Sequence, residues 1–102
     1  MDVLVRIKRL ALARRVEFTL KAEQERLWDN LTVDEVLESI MNATVIKKTL
    51  RSRSRGWSTY RDRLHVIESP TYTGRWIYTK GTLRRKVEKE VFYVLVSSKL
   101  AQ

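Results

Sequence analysis

In the stretch of chain that reads as strands, Tyr78, Lys80, Tyr93, Lys99 and His65 are side chains that could pass a proton, and Arg51 and Arg53 stand ready to hold a phosphate. That set suits metal-free cleavage of RNA. In this reaction the ribose 2′-OH attacks its own phosphate, so the protein need supply only a proton acceptor, a proton donor and cations for the developing phosphorane charge. The densest basic block, Lys47, Lys48, Arg51, Arg53, Arg55, Arg61 and Arg63, also holds Trp57 and Tyr60. Guanidinium forks grip phosphate and flat rings accept a base face, which makes Arg51, Arg53, Arg55, Arg61 and Arg63 the candidate nucleic-acid-binding residues. Blander readings stand beside these. The block also fits a solvated loop kept soluble by its charge, Tyr78 and Tyr93 fit ordinary sheet positions, Lys80 and Lys99 fit strand ends, and His65, between Leu64 and Val66, is expected to face solvent.

Composition narrows the alternatives. The 102 residues carry 21 Lys+Arg against 12 Asp+Glu, a formal net charge of +9 that favours polyanionic partners. With 43% hydrophobic residues, three Gly and one Pro, the chain is too apolar for disorder and is expected to form a single domain over residues 1–102. The absence of cysteine removes thiolate metal sites, disulfide scaffolds and cysteine catalysis. His65 has no second histidine to complete a metal cage, and Gly56, Gly74 and Gly81 are too isolated for a phosphate loop. A triad assembled from Ser97, His65 and Asp62 carries almost no information with one histidine in the chain. Residues 64–102 hold only Glu68, Glu88 and Glu90 as carboxylates for a metal. No metal or cofactor is expected. No apolar run approaches the roughly 20 residues of a membrane span, and the N-terminus lacks the layout of a secretory signal. A cytoplasmic, non-membrane protein is the resulting expectation.

The elements that must position the candidates divide by period. Apolar residues at Val3, Leu4, Ile7, Leu10 and Ala11 predict an amphipathic helix over 3–13. A second helix is expected from about Thr19 to Asp29, with Leu20, Leu27 and Trp28 inward and Glu23 and Glu25 in water. Thr32-Val33-Asp34-Glu35 reads as a capping box with Leu31 and Val36 as its hydrophobic staple, followed by a buried stripe of Val33, Val36, Leu37, Ile40 and Met41. From Thr44 the period becomes two. Strands are expected over 44–53 with one face on the core, 63–68 with Leu64 and Val66 inward, 75–83, and 90–98, the last central because it is apolar on both faces. Loops are expected at 52–59, 69–74 and 84–89. The expected fold is α+β: N-terminal helices (about 3–42) packed on one face of a mainly antiparallel four-stranded sheet (about 44–98).

Four stretches carry a resemblance. Val16-Glu17-Phe18-Thr19-Leu20-Lys21-Ala22, Leu31 to Ile40, Ile77-Tyr78-Thr79-Lys80-Gly81, and Val91 to Lys99 resemble a bacterial family of small domains that looks like a relative of the RelE/BrnT-type toxins of toxin–antitoxin pairs. The likeness covers roughly residues 16–99. It implies an α+β fold, a metal-independent ribonuclease of the mRNA interferase type, and an acidic antitoxin that covers the basic face. One departure accompanies it: many relatives carry a histidine close to the position of Lys21, and lysine there holds phosphate well but shuttles protons poorly unless desolvated. Lys21, Tyr78, Lys80 and Lys99 thus become the candidates for chemistry. The other readings are a non-catalytic nucleic-acid-binding module and a protein-interaction domain, with a homodimer among its partners.

Overall fold

The structure, a computed structural model, describes residues 2–51, 63–85 and 91–102. Helix α1 spans Val3–Leu12, strand β1 Val16–Phe18, helix α2 Leu20–Trp28 and helix α3 Val33–Asn42; strands β2 Lys48–Arg51, β3 Arg63–Pro70, β4 Trp76–Arg85 and β5 Val91–Leu100 follow. The class is α+β as expected, but among the described residues the sheet has five strands, not four. Its order is β1-β5-β4-β3-β2. β1 runs parallel to β5, with Val16 opposite Tyr93 and Phe18 opposite Leu95, so the sheet is mixed rather than purely antiparallel. It therefore begins inside the stretch expected to be helical and ends at Leu100, not Ser98.

Local chemistry explains the helix ends. Asp2 and Thr19 accept hydrogen bonds from the Leu4 and Ala22 amides, and Thr32 and Glu35 form the complete capping box, with Glu35 Oε1 2.9 Å from the Thr32 amide and Thr32 Oγ1 3.0 Å from the Glu35 amide. α1 and α2 both close with a residue in the left-handed region, Arg14 at φ 58° and Asn30 at φ 57°. The amides beyond them, Arg15 and Leu31, donate back to Leu10 and Arg26 as in a Schellman motif.

α1 and α3 supply Leu4, Ile7, Ala11, Val36, Leu37 and Ile40 to a core completed by Ile67, Ile77, Tyr93 and Leu95 of the sheet. Alternation then sends Val66, Tyr78, Lys80, Thr82 and Lys99 to the other face. Val66 is buried there yet lies outside the core cluster.

Several expectations are corrected. Leu20, Leu27 and Trp28 point to solvent, Trp28 being 85% exposed, and Ala22 is the buried residue of α2. The helix lies along the edge of β5 beyond the end of β1, where small residues allow close approach and carboxylates meet free amides. Glu25 accepts from Ser97 Oγ at 2.6 Å and from the Ser98 amide at 3.1 Å, and Asp29 Oδ2 accepts from the Leu100 amide at 2.8 Å. Glu25 is thus a sheet-edge acceptor rather than a side chain in water. Within the described residues β2 begins at Lys48 rather than Thr44 and is described to Arg51, and all four residues are exposed because it is the outermost described strand, with none of the described helices against it. Arg84 and Arg85 belong to β4 rather than to a connection. The expected loop 52–59 and residues 86–89 of the expected connection lie outside the described residues. No helix among the described residues is long and apolar enough to cross a membrane.

Candidate active site

Strand pairing builds the site from two rows on the sheet face opposite α1 and α3. In the first row Lys48 of β2 stands opposite Val66 of β3, Val66 opposite Lys80 of β4, and Lys80 opposite Ser97 of β5. Ser97 then donates to Glu25 of α2, whose other carboxylate oxygen lies 4.0 Å from Lys21 Nζ. In the second row Glu68 stands opposite Tyr78, and Tyr78 opposite Lys99. The Lys99 ammonium sits 5.4 Å from the centre of the Tyr78 ring, and Lys47 closes the row with a 2.9 Å ion pair to Glu68. With strands about 4.8 Å apart, the first row places Lys48 and Lys80 about 10 Å apart at the backbone, within the joint reach of two lysines around one anion. Trp76, Tyr78 and Lys80 follow one another along this face of β4, and Trp76 is 54% exposed.

The register on β5 changes beside Lys80: Lys80 pairs with Ser97, whereas Gly81 pairs with Leu95, leaving Val96 as the extra residue. That bulge keeps Ser97 and Lys99 on the face of Lys80 and Tyr78 while Tyr93 and Leu95 remain in the core.

The electrostatics separate donor from acceptor. Burial pushes the Lys80 ammonium below the ordinary lysine value; Lys21, Lys99 and Lys48 push the same way, and only Glu25 opposes them. Burial also raises the Tyr78 phenol, with Glu68 and Glu25 adding to the effect and Lys47 working against it. A half-buried amine that loses its proton more readily therefore stands two residues from a phenol that keeps its own. The pair can divide proton acceptance from proton donation around a phosphate held by the outer lysines.

Lys21, Tyr78, Lys80 and Lys99, the candidates for chemistry, are brought together. His65 is not among them: it is 7% exposed rather than solvent-facing, lies on the other side of the sheet, and has Nδ1 3.1 Å from Thr49 Oγ1. Burial, then Arg63, lowers its pKa. Tyr93 is wholly buried against Gly81, and its hydroxyl is 3.5 Å from the His65 carbonyl. Arg51 and Arg63 face each other across β2 and β3 on the side of Thr49 and His65, apart from the lysine face. Arg53, Arg55 and Arg61, with Trp57 and Tyr60, lie outside the described residues. Sequence reasoning did not place Lys48, Glu25, Glu68 and Ser97 in the site. The available signal was alternation, since Trp76, Tyr78 and Lys80 stand two apart, but the partners across the sheet depend on register.

Comparison with known proteins finds no matching family model, no matching curated protein and no matching solved structure.

Proposed function

We propose that the lysine face binds RNA and cleaves it without a metal, in the manner of the RelE/BrnT-type toxins that the sequence resembles. The observation that carries this reading is the convergence of Lys21, Lys48, Lys99 and Tyr78 around the half-buried Lys80. Lys80 accepts the proton of the ribose 2′-OH, the Tyr78 hydroxyl protonates the leaving 5′ oxygen, and the three outer lysines hold the phosphate as its charge grows. Trp76, on the same face, offers a ring on which a neighbouring base can stack. Arg51 and Arg63, and the arginines at 53, 55 and 61, hold flanking phosphates. A small acidic protein that covers the lysines would keep the activity off, and the cytoplasm is where such a substrate and such a partner meet.

The test is cleavage of mixed-sequence RNA in EDTA and low salt by wild type, Lys80→Ala and Tyr78→Phe, with gel-shift binding measured alongside. Wild type is expected to leave 2′,3′-cyclic phosphate ends, with each variant slower by about 10²–10⁴-fold. RNA that is bound by wild type but stays intact would leave a non-catalytic nucleic-acid-binding module in place of the nuclease.

A further inference from the structure

The same cluster points to a reaction of the amines themselves. Lys80 sits in the middle of the first row between buried, uncharged neighbours, Val66 and Ser97, with charged groups beyond them. Lys48 lies beyond Val66 on β2, Lys99 on β5, and Lys21 and Glu25 on α2, while two residues along β4 Tyr78 stands opposite Glu68 of β3, to which Lys47 is paired. Cations outnumber carboxylates in this ring, and both carboxylates have partners, Glu25 in Ser97 and Ser98 and Glu68 in Lys47. An amine among other cations and partly out of water is one that enzymes use as a nucleophile.

We propose that Lys80 is a site of non-enzymatic acylation by acyl phosphates, with Nζ as the acceptor and the Lys21, Lys48 and Lys99 ammonium groups as the seat for the donor's phosphate. The neutral amine attacks the carbonyl carbon, and an N–C bond forms. The C–O bond to phosphate breaks, phosphate leaves with the bonding pair, and the amine's surplus proton passes to solvent. Burial and the three neighbouring lysines favour the neutral amine, and the same lysines stabilise the departing phosphate. Other lysines among the described residues lack one part of this arrangement. Lys8 donates to the Ala43 carbonyl at 2.8 Å, Lys47 is paired with Glu68, and Lys21 is well exposed. Acylation removes one charge from the cluster and the nitrogen assigned as proton acceptor, so it would switch off the RNA chemistry; that consequence alone rests on the function proposed above.

The experiment treats the intact wild-type protein with acetyl phosphate near neutral pH and follows acetylation of each lysine by peptide mass spectrometry. Accessibility by itself would label the exposed Lys21 and Lys99 before the half-buried Lys80. The expected result is the reverse, Lys80 faster by about threefold, because the larger neutral fraction outweighs the weaker nucleophilicity of a less basic amine. Inorganic phosphate should slow Lys80 more strongly under acetyl phosphate, with which it competes for the seat, than under acetic anhydride, where a seated phosphate acts only by favouring the ammonium form. Lys80 labelled no faster than Lys21 and Lys99 would overturn the proposal, and so would indifference to inorganic phosphate. Neither readout requires the protein to bind or cleave RNA, so the two proposals fail separately.

Discussion

Lys80 and Gly81 are neighbours in sequence and face opposite sides of the sheet with opposite demands. Lys80 needs a long side chain in a crowd of charge, whereas Gly81 needs none, because a Cβ there would stand 2.7 Å from Cζ of the buried Tyr93 ring. Gly81→Ala is expected to destabilise the fold by about 1–3 kcal/mol, as overpacking does, read as a lower urea midpoint at unchanged slope. In a Tyr93→Leu background the same alanine should cost less, which a double-mutant cycle would measure. On the acid side, two titrating groups give stability a pH dependence. Glu35 is held below the ordinary carboxylate value first by the Thr32 amide and then by Arg75, against burial that works the other way. Its contribution is present above the unfolded value, near 4.3, and is lost as pH falls through the lower folded value. His65, lowered by burial, is kept neutral in the fold while the unfolded chain takes up a proton below about 6.5. Stability therefore declines with acid in two stages, His65 first. Urea midpoints across pH should lose the upper stage in His65→Gln and the lower one in Glu35→Gln.

Among the elements, α2 shows best what periodicity conveys and what it leaves out. The Thr32–Glu35 capping box and the stripe Val36, Leu37 and Ile40 could be read in advance, because cap chemistry and a one-sided apolar face are properties of one contiguous segment. The period-two patterns of β3, β4 and β5 and the flanked position of β5 were legible for the same reason, whereas the start of β2 and the face taken by Val66 were not. In α2 the largest apolar side chains are exposed, and the helix is held instead by Ala22, Glu25 and Asp29 along a sheet edge. No count of apolar residues within the helix reveals that edge, since it is created by β1 stopping at Phe18. β1 itself escaped notice because three residues cannot display a period and its partner lies more than seventy positions away. The candidate site shared that limit: Tyr78, Lys80 and Lys99 were recognisable as residue types, whereas Lys48 opposite Val66 required the register. Asp29→Ala should leave the Leu100 amide without its acceptor and cost about 1–2 kcal/mol, with faster hydrogen exchange confined to the end of β5. At the end of α1, Arg14 occupies a left-handed position that glycine fills without strain. Arg14→Gly should raise stability by up to about 1 kcal/mol, because the ion pair it gives up, to Asp34, is exposed on both sides.

At the scale of the molecule, part of the positive charge that gives the chain its excess of nine lies on two surfaces that the strand register sets on opposite sides. One is the lysine face with Lys21, Lys48, Lys80 and Lys99; the other begins with Arg51 opposite Arg63, two like charges whose mutual repulsion a bound phosphate would relieve. Both would contribute to affinity, since every phosphate neutralised releases counterions, but it is the lysine face that combines an amine that gives up its proton more readily than an ordinary lysine with a phenol that keeps one. Affinity and turnover should therefore respond differently to the two surfaces. With single-stranded RNA, Lys21→Ala with Lys99→Ala should flatten the dependence of log K on log salt by about 1.4 and lower cleavage as well, at about 0.7 per lost phosphate contact. Arg51→Ala with Arg63→Ala should flatten that slope similarly while saturating RNA is still cleaved at the wild-type rate. An arginine pair whose loss stops cleavage at saturation would move the chemistry to the His65 side of the sheet. A slope unchanged by the arginine substitutions would confine the RNA to the lysine face and leave Arg51 and Arg63 without a share in binding.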